Sequence, residues 1–132
     1  LEVLHPTLQP ELGASLDDNA LLLRVSYQDI SFLLTSDVSR DVQDGLLARG
    51  DSVLATVLQL PQHATARSLS AEFLAAVQPS AIIIQSARDN RRGDPDADVL
   101  TLVEHLPVFR TDVGGVIHLW TDGAHLWALQ AG

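Results

Sequence analysis

Two adjoining strand patterns and the acid that follows them constrain the fold of this chain most strongly. Ala20–Ser26 and Ile30–Thr35 are rich in Leu, Val, Ile and Phe, and a polar turn at residues 28–29 separates them. The pattern predicts two strands joined at that turn. Asp37 follows the second strand. Because the backbone at a strand end is rigid, Asp37 is expected to point into a crevice at the sheet rim, where metal and active sites tend to form.

Beyond residue 37, the apolar period alternates between that of a helix and that of a strand. Helices are predicted over Val38–Ala48, Ser70–Val77 and Asp94–His105, and buried strands over Val53–Leu58 and Ala81–Ile84. Asp94 is expected to cap the third helix, with Pro95 in its first position. The alternation predicts an α/β fold in which a mixed β-sheet carries flanking helices, in a single domain over residues 1–132.

The C-terminal segment contains two further strand patterns and a possible edge strand of the sheet. Val108–Thr111 and Val116–Thr121 are expected to pair around a turn at Gly114 and Gly115, and His125–Leu129 is expected to add an edge strand.

Length and composition are those of an ordinary globular domain. A chain of 132 residues can bury one core, and its 46% apolar content includes no run near the ~20 residues of a membrane span. No signal peptide is predicted, and the absence of cysteine excludes disulfides and thiolate chemistry. The chain has no methionine and opens in Leu1-Glu2-Val3, which indicates the interior of a longer protein.

The charge balance argues against direct DNA binding. Acids outnumber bases by 17 to 8, every base is an arginine, and the net charge is −9. Such a chain repels a phosphate backbone, whereas nucleic-acid-binding proteins usually have a basic face. Residues 88–92, Arg-Asp-Asn-Arg-Arg, form one dense basic spot. A solvated loop is the more common role for such a segment than a phosphate site.

Three short motifs occur in the order and spacing of a known family. The first motif, residues 18–37, begins Asp-Asn-Ala, continues through the strand pair and ends Leu-Leu-Thr-Ser-Asp. The second motif, residues 58–65, is Leu-Gln-Leu-Pro-Gln-His-Ala-Thr. The third motif, residues 89–96, is Asp-Asn-Arg-Arg-Gly-Asp-Pro-Asp. The pattern resembles the second half of a metallo-β-lactamase fold, most closely the C-terminal domain of ComEC-type DNA-uptake proteins. Phe-Arg-Thr-Asp at residues 109–112 and the glycine-rich turn after it resemble the same family.

The resemblance implies that this chain is the C-terminal half of an αββα sandwich, in which two halves pack sheet against sheet. Its own helices would cover one sheet face, and the other half would cover the opposite face. The expected partners are therefore the remainder of the parent protein and, for the excised chain, a second copy bound through the open face or the edge strands. The parent would be a bacterial inner-membrane protein, and this chain its soluble domain.

The resemblance also implies a degenerate metal site. In the family, the acid at position 37 bridges two metals, and the second motif carries a histidine pair of which only His63 is present, since the other position is Gln62. A neutral amide is a poor zinc ligand. Asp37 and His63 are therefore interpreted as remnants of metal ligands. The other family-motif positions are Asn19, Asp89, Asn90, Asp94 and Asp96, of which the last two replace histidines.

Two simpler interpretations stay open for the same residues. An acid at a strand end often caps the next helix, predicted here to begin at Val38. A lone histidine after a strand is more often a hydrogen-bonded structural residue than a metal ligand. For His63 and Asp37, residue type alone does not decide between these roles.

Three functions from different classes remain. The first is a non-catalytic domain of a ComEC-type competence protein that serves DNA uptake. The second is part of a metal-dependent nuclease or phosphodiesterase whose other ligands lie upstream, and the third is a small-molecule hydrolase on the same scaffold. The sequence lacks the His-x-His-x-Asp-His motif of catalytic members, which favours the first. No cofactor is expected in the isolated chain, whereas zinc or manganese is expected wherever the parent site is intact.

Overall fold

A computed structural model describes residues 1–7 and 15–131 of the chain. The strands are β1 (Glu2–His5), β2 (Leu22–Tyr27), β3 (Ile30–Leu34), β4 (Val57–Gln59), β5 (Ala81–Ile84), β6 (Val108–Arg110), β7 (Val116–Thr121) and β8 (Leu126–Ala131). The helices are α1 (Arg40–Ala48), α2 (Ala71–Val77), α3 (Ala97–Val103) and α4 (Thr111–Gly114). A short 3-10 segment lies at Asp17–Asn19, and Pro61–Ala64 forms a tight turn with left-handed backbone at Gln62 and His63.

The main sheet has six strands in the order β1-β2-β3-β4-β5-β6. Strands β1 to β3 are antiparallel neighbours, whereas β3 to β6 run parallel to one another. This arrangement confirms the predicted α/β class with a mixed sheet and flanking helices. Because the parallel strands share a direction, the segments that follow β3, β4 and β5 meet at one edge of the sheet.

The helices pack on one face of this sheet and form the core with it. Alternate strand residues that point to this face, such as Leu33, Leu58 and Ile82, belong to the same buried cluster as Leu46 of α1 and Phe73 of α2. The period of two along the strands and the apolar stripes of the helices account for this layer. None of the helices in the described ranges is long and apolar enough to cross a membrane.

A buried glutamine ties α1 to the loop before α2. Gln43 is fully buried, and its Nε2 donates to the Ser68 carbonyl oxygen at 2.7 Å. Its Oε1 accepts from the Ser70 backbone N–H at 3.1 Å. Ser70 in turn caps α2, since its Oγ accepts from the Phe73 N–H at 3.0 Å. One side chain therefore satisfies two buried backbone groups and holds the start of the second helix.

The opposite face of the sheet is partly covered by the hairpin of β7 and β8, which is a separate two-stranded sheet. Ile117 and Leu119 of the hairpin line a groove of about 360 Å³ together with main-sheet residues that include Phe32 and Ile83. The Asp29 N–H donates to the Gly123 carbonyl at 3.0 Å and joins the two hairpin turns. The expectation that this whole face is open is therefore wrong.

Part of the face nevertheless stays exposed. Leu21 is 45% exposed, Leu34 39% and Val25 37%. Leu21 and Leu34 lie at the edge where the parallel strands end, and Val25 lies further along β2, opposite Phe32. An open apolar strip therefore lies next to the crevice that holds Asp37.

Several predicted boundaries and pairings differ in the structure. Helix α3 is capped by Asp96, whose carboxylate accepts from the Asp98 N–H, and not by Asp94. Asp94 instead lies in a loop in which its N–H donates to the Asn90 Oδ1 and its carbonyl accepts from the Ser86 Oγ. The strand predicted over Val53–Leu58 is shorter and consists of Val57–Gln59 alone.

The predicted pairing of the C-terminal strands is wrong. β6 pairs in parallel with β5, and β7 pairs with β8. Helix α4 lies between β6 and β7 and turns the chain out of the main sheet. Two hydrogen bonds between Thr111 and Ser86, at 2.8 and 2.9 Å, fix the start of α4 against the segment after β5. β1, which pairs with β2, has no counterpart in the sequence prediction.

Candidate functional site

A crevice at the carboxyl ends of the parallel strands collects the predicted site residues. Asp37 follows β3, His63 lies in the segment after β4, and Gln85 follows β5 directly. They line a pocket of about 320 Å³, whose walls consist of Leu21, Leu23, Leu34, Ser36, Asp37, Gln59, His63 and Gln85. The structure therefore places Asp37 at the sheet rim, beside the histidine of the second motif.

Asp37 and His63 face each other in this crevice. The His63 Nε2 lies 4.0 Å from the Asp37 Oδ1, and both side chains are about half exposed. The His63 Nδ1 is 2.8 Å from the Gln85 carbonyl oxygen. A carbonyl oxygen only accepts, so Nδ1 carries the proton. In its neutral form His63 therefore presents the Nε2 lone pair towards the Asp37 carboxylate, and this pair could hold a proton or a cation between them.

The helix-capping interpretation of Asp37 is wrong. Helix α1 begins at Arg40, and its cap is Ser39, whose Oγ accepts from the Val42 N–H at 3.3 Å. The same Oγ donates to the Asp18 carboxylate at 2.6 Å, and this bond, together with Ser15, lowers the pKa of Asp18. The capping role thus belongs to Ser39 and leaves the Asp37 carboxylate to the crevice.

The backbone around the pair adopts left-handed angles that are unusual for residues other than glycine. The φ angle is 49° at Ser36, 50° at Gln62, 57° at His63 and 60° at Ala64. Each such residue costs roughly 1 kcal/mol, and strain of this kind clusters at functional sites. Glycine adopts such angles most easily. The chain therefore holds this strained backbone around the pair with residues that carry side chains.

Replacing Ser36 by glycine is expected to raise the free energy of unfolding by roughly 1 kcal/mol, because glycine adopts a φ of 49° without steric cost. Urea denaturation measures the change. Ser26→Gly is the matched control, since Ser26 is an exposed residue within β2 and outside the group of left-handed residues. Ser26→Gly is expected to lower the free energy of unfolding. If both variants change the free energy of unfolding in the same direction, Ser36 is not strained.

Neutral amides surround the pair. The Gln62 Nε2 lies 3.3 Å from the Asp37 carbonyl oxygen and 3.4 Å from the Asp17 carboxylate. The Gln59 Nε2 donates to the Gln85 Oε1 at 3.2 Å. Within residues 1–7 and 15–131, no group of three or more His, Asp or Glu side chains is placed to hold a metal ion. With one carboxylate and one imidazole, this donor set does not fit a site for two metals.

The other family-motif positions serve local structure. Asn19 donates to the Ser15 carbonyl at 3.3 Å, and Asp96 caps α3. Asn90 and Asp94 bond to each other through the loop after β5, and Asp89 is exposed in that loop. In the described part of the chain, none of these five residues forms a hydrogen bond or an ion pair with Asp37 or His63. The structure thus brings Asp37 and His63 together, whereas the third motif forms a loop and a helix start. The third motif is joined to the second through its backbone, since the Asp96 N–H donates to the Ala64 carbonyl oxygen at 2.8 Å.

The sequence does not predict two residues near the site, Gln85, which lines the crevice, and Asp17, which lies outside its lining. Gln85 follows a buried strand in the same way as Asp37, so the strand-end rule applied to β5 would have found it. Asp17 reaches the crevice only through Gln62, a contact between residues 45 positions apart. The sequence carries no local sign of such a contact.

The arginine-rich loop is tied to the start of α4. The Arg88 Nε donates to the Asp112 carbonyl at 3.2 Å. The Asp112 carboxylate accepts from the Arg110 guanidinium at 2.6 Å, which lowers the pKa of Asp112. Arg91 and Arg92 are exposed. One of the three loop arginines is therefore held by protein contacts, and two extend into solvent.

Among curated proteins, the chain is similar to ComE operon protein 3 of Bacillus subtilis (strain 168). The two are 30% identical over 114 residues, which cover 83% of this chain. The chain spans about 15% of the length of that relative. No family model matches the chain, and no solved structure matches it. The similarity therefore relates this chain to one segment of a much longer protein.

Proposed function

We propose that this chain is a non-catalytic, metallo-β-lactamase-like half domain of a ComEC-type competence protein and that it serves DNA uptake as a structural module. The similarity to a segment of ComE operon protein 3 supports the competence role. The crevice supports the non-catalytic role, because its Asp37–His63 pair offers one carboxylate and one imidazole while amides occupy the neighbouring positions. The composition of this crevice is the observation that carries the proposal.

The open strip of the main sheet supports a role within a larger protein. Leu21, Val25 and Leu34 remain 37 to 45% exposed, although Val25 and Leu34 line the groove between the main sheet and the hairpin. Burial of such side chains contributes roughly 1.5–3 kcal/mol each. Strands from the remainder of the parent protein would cover the strip and extend the two-stranded sheet of β7 and β8. A soluble half domain of a membrane protein fits this role.

The second candidate is a metal-dependent nuclease whose further ligands come from outside this chain. The orientation of the His63 Nε2 towards Asp37 favours it, because the two groups could complete a site that other residues begin. The two candidates differ in what they require of Asp37. A structural module does not need its carboxylate, whereas a nuclease does.

Transformation frequency in a naturally transformable host that carries the parent gene separates the two candidates. Asp37→Ala and His63→Ala are expected to leave the frequency unchanged. Leu34→Asp is expected to reduce it strongly, because a charge on the open strip prevents packing against the parent. Parent protein levels measured by immunoblot serve as the control. Loss of uptake with Asp37→Ala at a normal protein level would contradict the structural role and favour the nuclease.

Direct binding of DNA by this chain is expected to be undetectable near physiological salt, because the net charge is −9 and the three arginines of the 88–92 loop supply little positive potential against it. A fluorescence anisotropy titration with single- and double-stranded oligonucleotides measures it. A nuclease assay with added manganese is expected to show no cleavage. Saturable binding that is lost when Arg88, Arg91 and Arg92 are replaced together by glutamine would instead make the loop a phosphate site.

A further inference from the structure

The hairpin of β7 and β8 has an outer face that is apolar and exposed. Three cross-strand pairs point outward, namely Val116 with Ala131, His118 with Leu129, and Trp120 with Trp127. The two indole rings are stacked with centroids 6.3 Å apart. Exposure is 59% for Val116, 53% for Leu129, 50% for Trp120 and 42% for Trp127. Contiguous apolar surface of this kind on a soluble domain marks an interaction surface.

This outer face is almost free of charge in a strongly acidic chain. Of the 25 charged residues, Asp122 alone lies within residues 115–131, and it lies in the turn. Its carboxylate accepts from the N–H groups of Ala124 and His125, which lowers the pKa of Asp122 to about 2 and keeps it engaged with the turn. The strands of this face offer no carboxylate for an ion pair with a basic partner and no arginine for an ion pair with an acidic partner. The chemistry therefore fits a neutral apolar surface.

We propose that the outer face of the β7–β8 hairpin binds the same face of a second copy of this chain. Two copies that each carry −9 repel one another wherever carboxylates meet, and this face lets them approach without bringing carboxylates together. An isologous two-fold contact brings the same patch of both copies together, and an uncharged apolar patch carries no like charges that would meet there. The surface differs from the open face and the edge strands of the main sheet, through which the sequence predicts self-association.

The size of the face sets the expected strength of the contact. The four large side chains leave on the order of 400 Å² of apolar surface per copy, about half of what each partner contributes to a standard interface. The association is therefore weak and depends on protein concentration. His118 belongs to the middle of the three outward pairs, so its side chain lies near the two-fold axis and close to its mate.

Sedimentation velocity over a concentration series, with the tryptophan emission of the same samples, tests the proposal. Both tryptophans of the chain lie on this face, so the emission is expected to shift to shorter wavelength as the dimer forms. His118→Glu and His118→Lys are each expected to weaken self-association at least about tenfold, because like charges then meet at the axis. An equimolar mixture of the two variants is expected to restore association as a heterodimer.

Two controls separate this face from other causes. Val113→Glu adds the same charge at a residue that is 67% exposed and outside the hairpin, and it is expected to have no effect on association. Circular dichroism of the stacked indoles shows whether the hairpin is intact in each variant. A wild-type chain that stays monomeric at every concentration would overturn the proposal. So would association that both His118 variants leave unchanged or that Leu34→Ser abolishes.

Discussion

Replacing Gln43 by alanine is expected to lower the free energy of unfolding by about 3 kcal/mol. The side chain is fully buried and satisfies the Ser68 carbonyl and the Ser70 N–H. Both groups would stay buried without a partner, and the cap of α2 at Ser70 would lose its support. Urea unfolding followed by circular dichroism measures the change.

The matched control is the same substitution at an exposed glutamine. The Gln85 side chain bonds only to Gln59 in the described structure and is solvent-exposed, so Gln85→Ala is expected to cost less than about 0.5 kcal/mol. Equal losses for the two variants would mean that the loop before α2 obtains other partners, and that Gln43 does not join it to α1.

Replacing Gln62 by histidine is expected to raise zinc affinity on the order of 100-fold. The Gln62 side chain lies beside Asp37, with its Nε2 3.3 Å from the Asp37 carbonyl oxygen. An imidazole there would join the Asp37 carboxylate and the His63 Nε2 as a third ligand. Three protein ligands and a water are the usual set of an open zinc site. Isothermal titration calorimetry with zinc measures the gain over the wild-type chain.

The controls vary the position of the new histidine and the presence of the acid. Gln28→His places the imidazole in the β2–β3 turn, away from the crevice, and is expected to leave zinc affinity near the wild-type value. Gln62→His combined with Asp37→Ala is expected to lose the gain. A Gln62→His variant that binds zinc no better than Gln28→His would show that the crevice no longer has the shape of a metal site.

The sheet could be predicted because its strands are short buried apolar runs and its helices carry apolar stripes. The pairing of the C-terminal strands could not, because two strand patterns around Gly114 and Gly115 are typical of a hairpin. The bonds between Ser86 and Thr111, 25 residues apart, hold β6 beside β5 instead. The cap of α3 was misassigned for a related reason. Asp94 and Asp96 are chemically equivalent in the sequence, and the contacts of Asn90 decide between them.

Part of the candidate site could likewise be predicted from the sequence, and part of it could not. That Asp37 lies at the sheet rim follows from its place after a strand, and its proximity to His63 follows once β3 and β4 are parallel. The left-handed backbone at Ser36 and over residues 62–64 could not be predicted from residue type, because serine, glutamine, histidine and alanine rarely adopt it. The bond from His63 to the Gln85 carbonyl depends on the position of β5 and is likewise a property of the folded sheet.

The metal content of the purified chain tests most directly the claim that this crevice is a degenerate metal site. Zinc and manganese are measured by elemental analysis in the chain purified without chelator and in its Asp37→Ala variant. With one carboxylate and one imidazole in the crevice, the wild-type chain is expected to hold no stoichiometric metal, and the variant is expected to match it. One or more equivalents of metal in the wild-type chain, lost on Asp37→Ala, would contradict the account and identify a working metal site.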